Sequence, residues 1–213
     1  MSASFAGVVR RVGMWVACLM ALVLAGTAEA VLMPTPPLNV PRGLAVRYAR
    51  VSRDHFLPLA AAQAGALRGA SDLVGQGLQH APADPTHAVA MAAIAAGVSG
   101  FGGAMWLRKL EGLYGTSTEP GVVARKTATD YVFWAPIANT AYLLGLPLLT
   151  GHGAEAALST WQAGFVSVML LELSIFMPYN VFAFRMIPLE ARPLVQTLLS
   201  AAFTIGLCTV SSC

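Results

Sequence analysis

The chain is predicted to be all-α, a polytopic transmembrane helical bundle of about five spans after an N-terminal hydrophobic targeting or anchor segment. Three observations predict this. Of 213 residues, 56% are hydrophobic and only 11% are charged, far below the roughly 25% charged residues of a soluble domain. Five apolar segments follow residue 55, each long enough to cross a hydrocarbon layer of roughly 30 Å and none with strand-like alternation. The Lys and Arg residues of the connecting segments alternate four, zero, four, zero, two, zero along the chain, as the positive-inside rule requires of five crossings.

Residues 1–30 read as a targeting segment or signal anchor: Arg10 and Arg11 precede an uncharged run from Val12 to Ala28, and Ala28-Glu29-Ala30 resembles a small-residue cleavage site. As a sixth span this run would leave positive charge on both sides, which favours cleavage. Residues 31–54 form a linker and a basic helix. Pro34, Pro36, Pro37 and Pro41 favour an extended connector, whereas Arg42, Arg47, Arg50 and Arg53 gather on one arc of a short helix at headgroup level, or else belong to a solvated basic connector. Residues 55–213 form the transmembrane helical domain. Its segments run from about Phe56 to Leu78, between Asp84 and Arg108, from Tyr131 to Ala154, between Glu155 and Arg185, and from Pro193 to Cys213. Trp106, Tyr131 and Trp134 suit the cationic interface and Trp161 the opposite one.

Polarity inside these segments points to candidate functional residues. Gly65, Arg68, Gly69, Asp72 and Gln76 fall within about 100° on one side of a helix. Such a stripe must face other helices or a water-filled path, with the GxxxG pair allowing close approach. Arg68 and Asp72 are expected either to pair along their own helix or to line a solute path. Glu172, the only charged residue between Glu155 and Arg185, is expected to meet Arg68 or to be protonated, and Asn180 extends its polar face. Asp130, Asn139 and Arg185 complete the candidate pore or packing residues. Pro136, Pro178 and Pro188 are expected at kinks or ends and Gly100 at close helix packing.

No P-loop, dinucleotide fingerprint, nucleophile elbow or paired metal-ligand motif occurs, so no enzyme activity, cofactor or metal is expected. Cys18, Cys208 and Cys213 lack metal-site spacing, and no basic cluster interleaved with aromatics suggests nucleic acid.

Several motifs recur in a familiar order. Gly65, Gly69 and Asp72 through Gln76 follow a glycine, glycine, Gly-Asp-x-x-x-Gln pattern, with Ser71 at the third glycine. Gly100-Phe101, Trp106-Leu107 and Leu110-Glu111 resemble a Gly-Pro, Trp-Tyr, Leu-Asp series, and Asp130 with Ala135-Pro136 resembles Asp-Gln-x-x-x-Ala-Pro. Residues Phe176 through Arg192, containing Pro178, Asn180, Phe184 and Pro188, are similar to a Trp-Pro, Asn-Phe, Val-Pro, Arg signature. In these respects the sequence resembles the Mpv-seventeen / peroxisomal-membrane-protein-twenty-two family of small organelle membrane proteins. The resemblance implies a channel-like or metabolite-permeability protein for small solutes, in the mitochondrial inner membrane or, alternatively, a peroxisomal or plastid membrane. It brings no catalytic residues. A structural or accessory subunit of a larger membrane complex, or of a homo-oligomer, is the alternative. Expected partners are therefore the lipid bilayer, small-molecule solutes and membrane subunits.

Overall fold

A computed structural model describes residues 42–80 and 82–210. The targeting segment at 1–30 and the proline-rich linker at 31–41 lie outside the described residues, as do Cys18 and Cys213. Helix α1 (Arg42–Asp54) leads into α2 (Phe56–Leu78). Then follow α3 (Pro85–Tyr114), α4 (Pro120–Leu149), α5 (Ala154–Met186) and α6 (Arg192–Val210). The described residues contain no strand, and the five expected apolar segments appear as the five helices α2 to α6. Three of these, α3, α4 and α5, are long and apolar enough to cross a membrane. Neither α2 nor α6 is among those three. In α2, Gln63, Arg68, Asp72 and Gln76 lower the hydropathy.

The boundaries follow from local chemistry. Asp84 caps α3, its Oδ1 accepting from Thr86 N at 2.9 Å and His87 N at 3.1 Å, with Pro85 supplying a pre-set φ in the first turn. Gly115 (φ 74) ends the same helix and Gly151 (φ 85) stands in the turn after α4, both in the left-handed region that side chains disfavour. Each of α3 and α4 contains a wider π-helical stretch, Ala95–Gly102 and Asp130–Trp134 respectively. The second lies directly before Pro136, which has no N–H to offer the carbonyl four residues back. Pro178, by contrast, sits inside a continuous α5 and does not interrupt it, and Pro188 follows the end of that helix.

Small residues set the packing of α2 on α3. A Cβ on Gly65 would lie 3.1 Å from the Ala92 carbonyl oxygen and 3.2 Å from Ala96 Cβ, and one on Gly69 would lie 3.1 Å from Ala92 Cβ. Gly100 returns the contact, since a Cβ there would come within 2.5 Å of Ala61 Cα. The glycine pair of the polar stripe therefore faces α3, and backbones meet where lipid provides no hydrophobic drive.

The up-and-down order gathers the cationic connections at one end. There Ser52 of α1 donates to the Glu190 carbonyl at 2.9 Å, and the Arg108 guanidinium carbon lies 4.4 Å from the Phe56 ring centroid. Leu107, Leu110, Val123 and Phe184 close a small core at this end.

Candidate functional site

Three polar clusters and one cavity hold Arg68, Asp72, His87, Glu111, Lys126, Asp130, Glu172 and Arg192. The first cluster is a buried ion triad at the cationic end. Glu111 of α3 accepts from Lys126 Nζ of α4 at 2.7 Å on one carboxylate oxygen and from Arg192 Nη1 of α6 on the other. Arg192 Nε also donates to the Ile187 carbonyl at 2.8 Å, so the cation caps the C-terminal end of α5. Phe184 lies under both cations, its ring centroid 5.8 Å from Lys126 Nζ and 5.1 Å from the Arg192 guanidinium carbon.

The second cluster lies deeper. Asp130, buried in the π-helical turn of α4, accepts from Trp106 Nε1 at 2.8 Å and from Asn180 Nδ2 at 2.6 Å. Trp106 stacks on Trp134 with centroids 5.9 Å apart. Asn180 thus binds across to α4 rather than extending a polar face with Glu172 toward the cavity, because the buried Asp130 carboxylate is a strong acceptor within its reach.

The third cluster closes the turn between α2 and α3. Asp72 Oδ2 accepts from Gln76 Nε2 at 2.8 Å and lies 2.9 Å from His87 Nδ1. The Gln76 amide also pairs with the Asp84 backbone, accepting from its N–H at 2.6 Å and donating to its carbonyl at 3.3 Å. Asp72 and Gln76 therefore bind the start of α3. The expected Arg68–Asp72 ion pair is absent among the described residues, because His87 and Gln76 supply the donors at Asp72.

Arg68 turns instead toward a cavity of about 250 Å³ among α2 to α6. Its Nη1 donates to the Ser200 carbonyl at 2.9 Å and to the Thr204 hydroxyl, and its guanidinium carbon lies 5.6 Å from the Tyr142 ring centroid. Tyr142 in turn shares a 2.8 Å hydrogen bond with Ser99. Glu172 and Asn139 line the same cavity, as do Gln196 and Ser200, among apolar neighbours such as Leu143, Phe176 and Phe203. Among the described residues no ion pair involves Arg68 or Glu172. Of the two expectations for Glu172, the meeting with Arg68 is not made: the two side chains share a cavity without pairing.

The structure thus divides the expected residues. Arg68, Asn139 and Glu172 reach one cavity, whereas Asp130 and Asn180 form a bridge between helices and Arg185 is exposed at the end of α5. Sequence reasoning did not connect Lys126 with Glu111 or Arg192; Glu111 and Arg192 lie 81 positions apart and no local spacing links them. Nor did it single out Ser99, Tyr142, Gln196 and Ser200, which are ordinary polar residues until α3, α4 and α6 come together. A larger depression of about 420 Å³ beside Pro85, Val89, Ala93 and Leu149 is apolar and open, and carries no charged group. Among the described residues no group of three His, Cys, Asp or Glu side chains gathers as a metal site.

A helical bundle with three membrane-length apolar helices and a Lys126–Glu111 ion pair buried between two of them is an integral membrane protein. Residues 147–208, which cover the end of α4, all of α5 and most of α6, match the model of the Mpv17 / PMP22 family, the family that the sequence motifs resemble. Neither a curated protein nor a solved structure matches the chain. The matched stretch contains Glu172, Asn180 and Arg192; Arg68 and Asp130 lie outside it.

Proposed function

We propose that the protein is a channel-like or metabolite-permeability protein of an organelle membrane, and that small polar solutes pass by way of the cavity bounded by Arg68 and Glu172. The observation that carries this reading is the unpaired approach of those two charges to one cavity. Charges within membrane helices mark solute paths when they are not consumed by each other. On this reading α2 and α6 also cross the membrane, shielded by α3 and by one another, and the cationic end faces the inner side. The family match and the Arg-bearing N-terminal run support an organelle address, with the mitochondrial inner membrane first and peroxisomal or plastid membranes after it.

Reconstitution into liposomes and planar bilayers tests this. Solute flux or conductance is expected, and Glu172→Gln is expected to change its charge selectivity. Folded protein that shows neither would overturn the proposal. A structural role in a larger complex is favoured by one observation, that most of the apolar part of α4 is not buried within the chain and exposes Val132, Phe133 and Ile137. Native purification in mild detergent addresses that role: a stoichiometric partner covering α4 supports it, and a monomer counts against it.

A further inference from the structure

At the cationic end the buried carboxylate of Glu111 is already shared by Lys126 and Arg192. Arg108, one turn earlier on α3, stands exposed and outside every ion pair among the described residues. It is nevertheless held in place. Its guanidinium carbon lies 4.4 Å from the Phe56 ring centroid, and Phe56 is buried against Ala104 of α3. Such a ring contact fixes the side chain while leaving N–H donors to meet an oxyanion. Met105 and Phe101 precede Arg108 at i−3 and i−7 on the same side of α3 and are 54% and 47% exposed. They make an apolar strip of roughly 10 Å that runs from the cation toward the middle of the span. Helix α1 is fastened beside this edge: Ser52 donates to the Glu190 carbonyl at 2.9 Å, and the adjacent Leu189 packs against the cluster around Phe56. Arg47 and Arg50 of α1 are exposed and outside those ion pairs as well, and the only acid in the sequence of α1 is Asp54.

We propose that this outer edge of α3 binds an anionic phospholipid, with the phosphodiester on Arg108 and an acyl chain along Met105 and Phe101. The occupant follows from the pairing of the two chemistries. A cation at the end of a membrane-length helix lies at headgroup depth, and the apolar strip beneath it lies at acyl depth. A planar guanidinium fork matches two phosphate oxygens at once. A soluble anion meets the cation and leaves the strip unused. A zwitterionic phospholipid carries the same phosphodiester and chains but brings its own ammonium toward Arg47 and Arg50, where like charge disfavours it. The site lies on the lipid-facing surface and is independent of the cavity.

Native mass spectrometry of the full chain released from micelles tests this, with phosphatidylglycerol and phosphatidylcholine of matched chains supplied in equal amounts. Retained phosphatidylglycerol is expected to exceed phosphatidylcholine on the order of tenfold. Arg108→Gln should remove most of that preference. Arg185→Gln, the same charge change at an exposed position on α5, should leave most of it. Arg108→Lys covers the case in which Arg108→Gln does not fold: it keeps the charge but lacks the fork, so the preference should fall to an intermediate value. Glycerol phosphate in equal amount should not displace the lipid, because it has no chain to lay on the apolar strip. Equal retention of the two lipids, or a preference unchanged by both Arg108 variants, overturns the proposal. An equal loss from Arg185→Gln also overturns it, because a diffuse positive field then replaces the site. Displacement by glycerol phosphate overturns the lipid as occupant in favour of a soluble anion.

Discussion

Glu111→Gln probes the triad on which the cationic end depends. The carboxylate spends one oxygen on Lys126 and the other on Arg192, and the three side chains are only 7%, 1% and 8% exposed, respectively. A carboxamide of the same shape keeps one acceptor but turns an N–H₂ donor toward a cation, and two buried positive charges remain without an anion. Removing one member of a buried ion pair costs about 3–5 kcal/mol, because the remaining charge stays desolvated. That is a fifth or more of a typical folding free energy of about 5–15 kcal/mol. Unfolding by denaturant titration in mixed micelles measures the loss. Lys126→Met alone should cost less, since Glu111 keeps Arg192. Combining it with Glu111→Gln should recover at least about 1 kcal/mol relative to the sum of the single changes. A Glu111→Gln protein within about 0.5 kcal/mol of the parent, the range of surface changes, or strictly additive behaviour, would refute the triad as a structural lock.

Asp130→Asn should cost about 1–3 kcal/mol, because one of its two acceptors becomes a donor opposite Trp106 or Asn180; the same titration reads the loss, and the exchange Asp130→Asn with Asn180→Asp should restore part of it. Gly100→Ala should destabilise by about 1–3 kcal/mol, since its Cβ would lie 2.5 Å from Ala61 Cα and 2.7 Å from the Ala60 carbonyl oxygen, backbone atoms that cannot swing aside. Gly112→Ala is the matched control on the same helix: its Cβ meets nothing within 4 Å, so it should be neutral or stabilising by up to about 1 kcal/mol.

Apolar length, the charge alternation and the motif order established the class of protein, the number of long helices and their up-and-down order, because lipid forces backbone hydrogen bonds into helices and Lys and Arg onto one side. The GxxxG pair on α2 was legible for the same reason: small residues at that spacing serve close helix packing, and they meet Ala92 and Ala96 here. The direction of each polar side chain was not. Arg68 and Asp72 stand four apart on one helix, yet one reaches α6 and the other binds His87 of α3. Periodicity places residues on a face, and the choice among neighbours on that face depends on the acceptors that other helices bring. The triad of Glu111, Lys126 and Arg192, and the unpaired charges of Arg68 and Glu172 around one cavity, arise from three or more helices meeting. Their energies depend on burial and mutual distance, which exist only once the helices have packed.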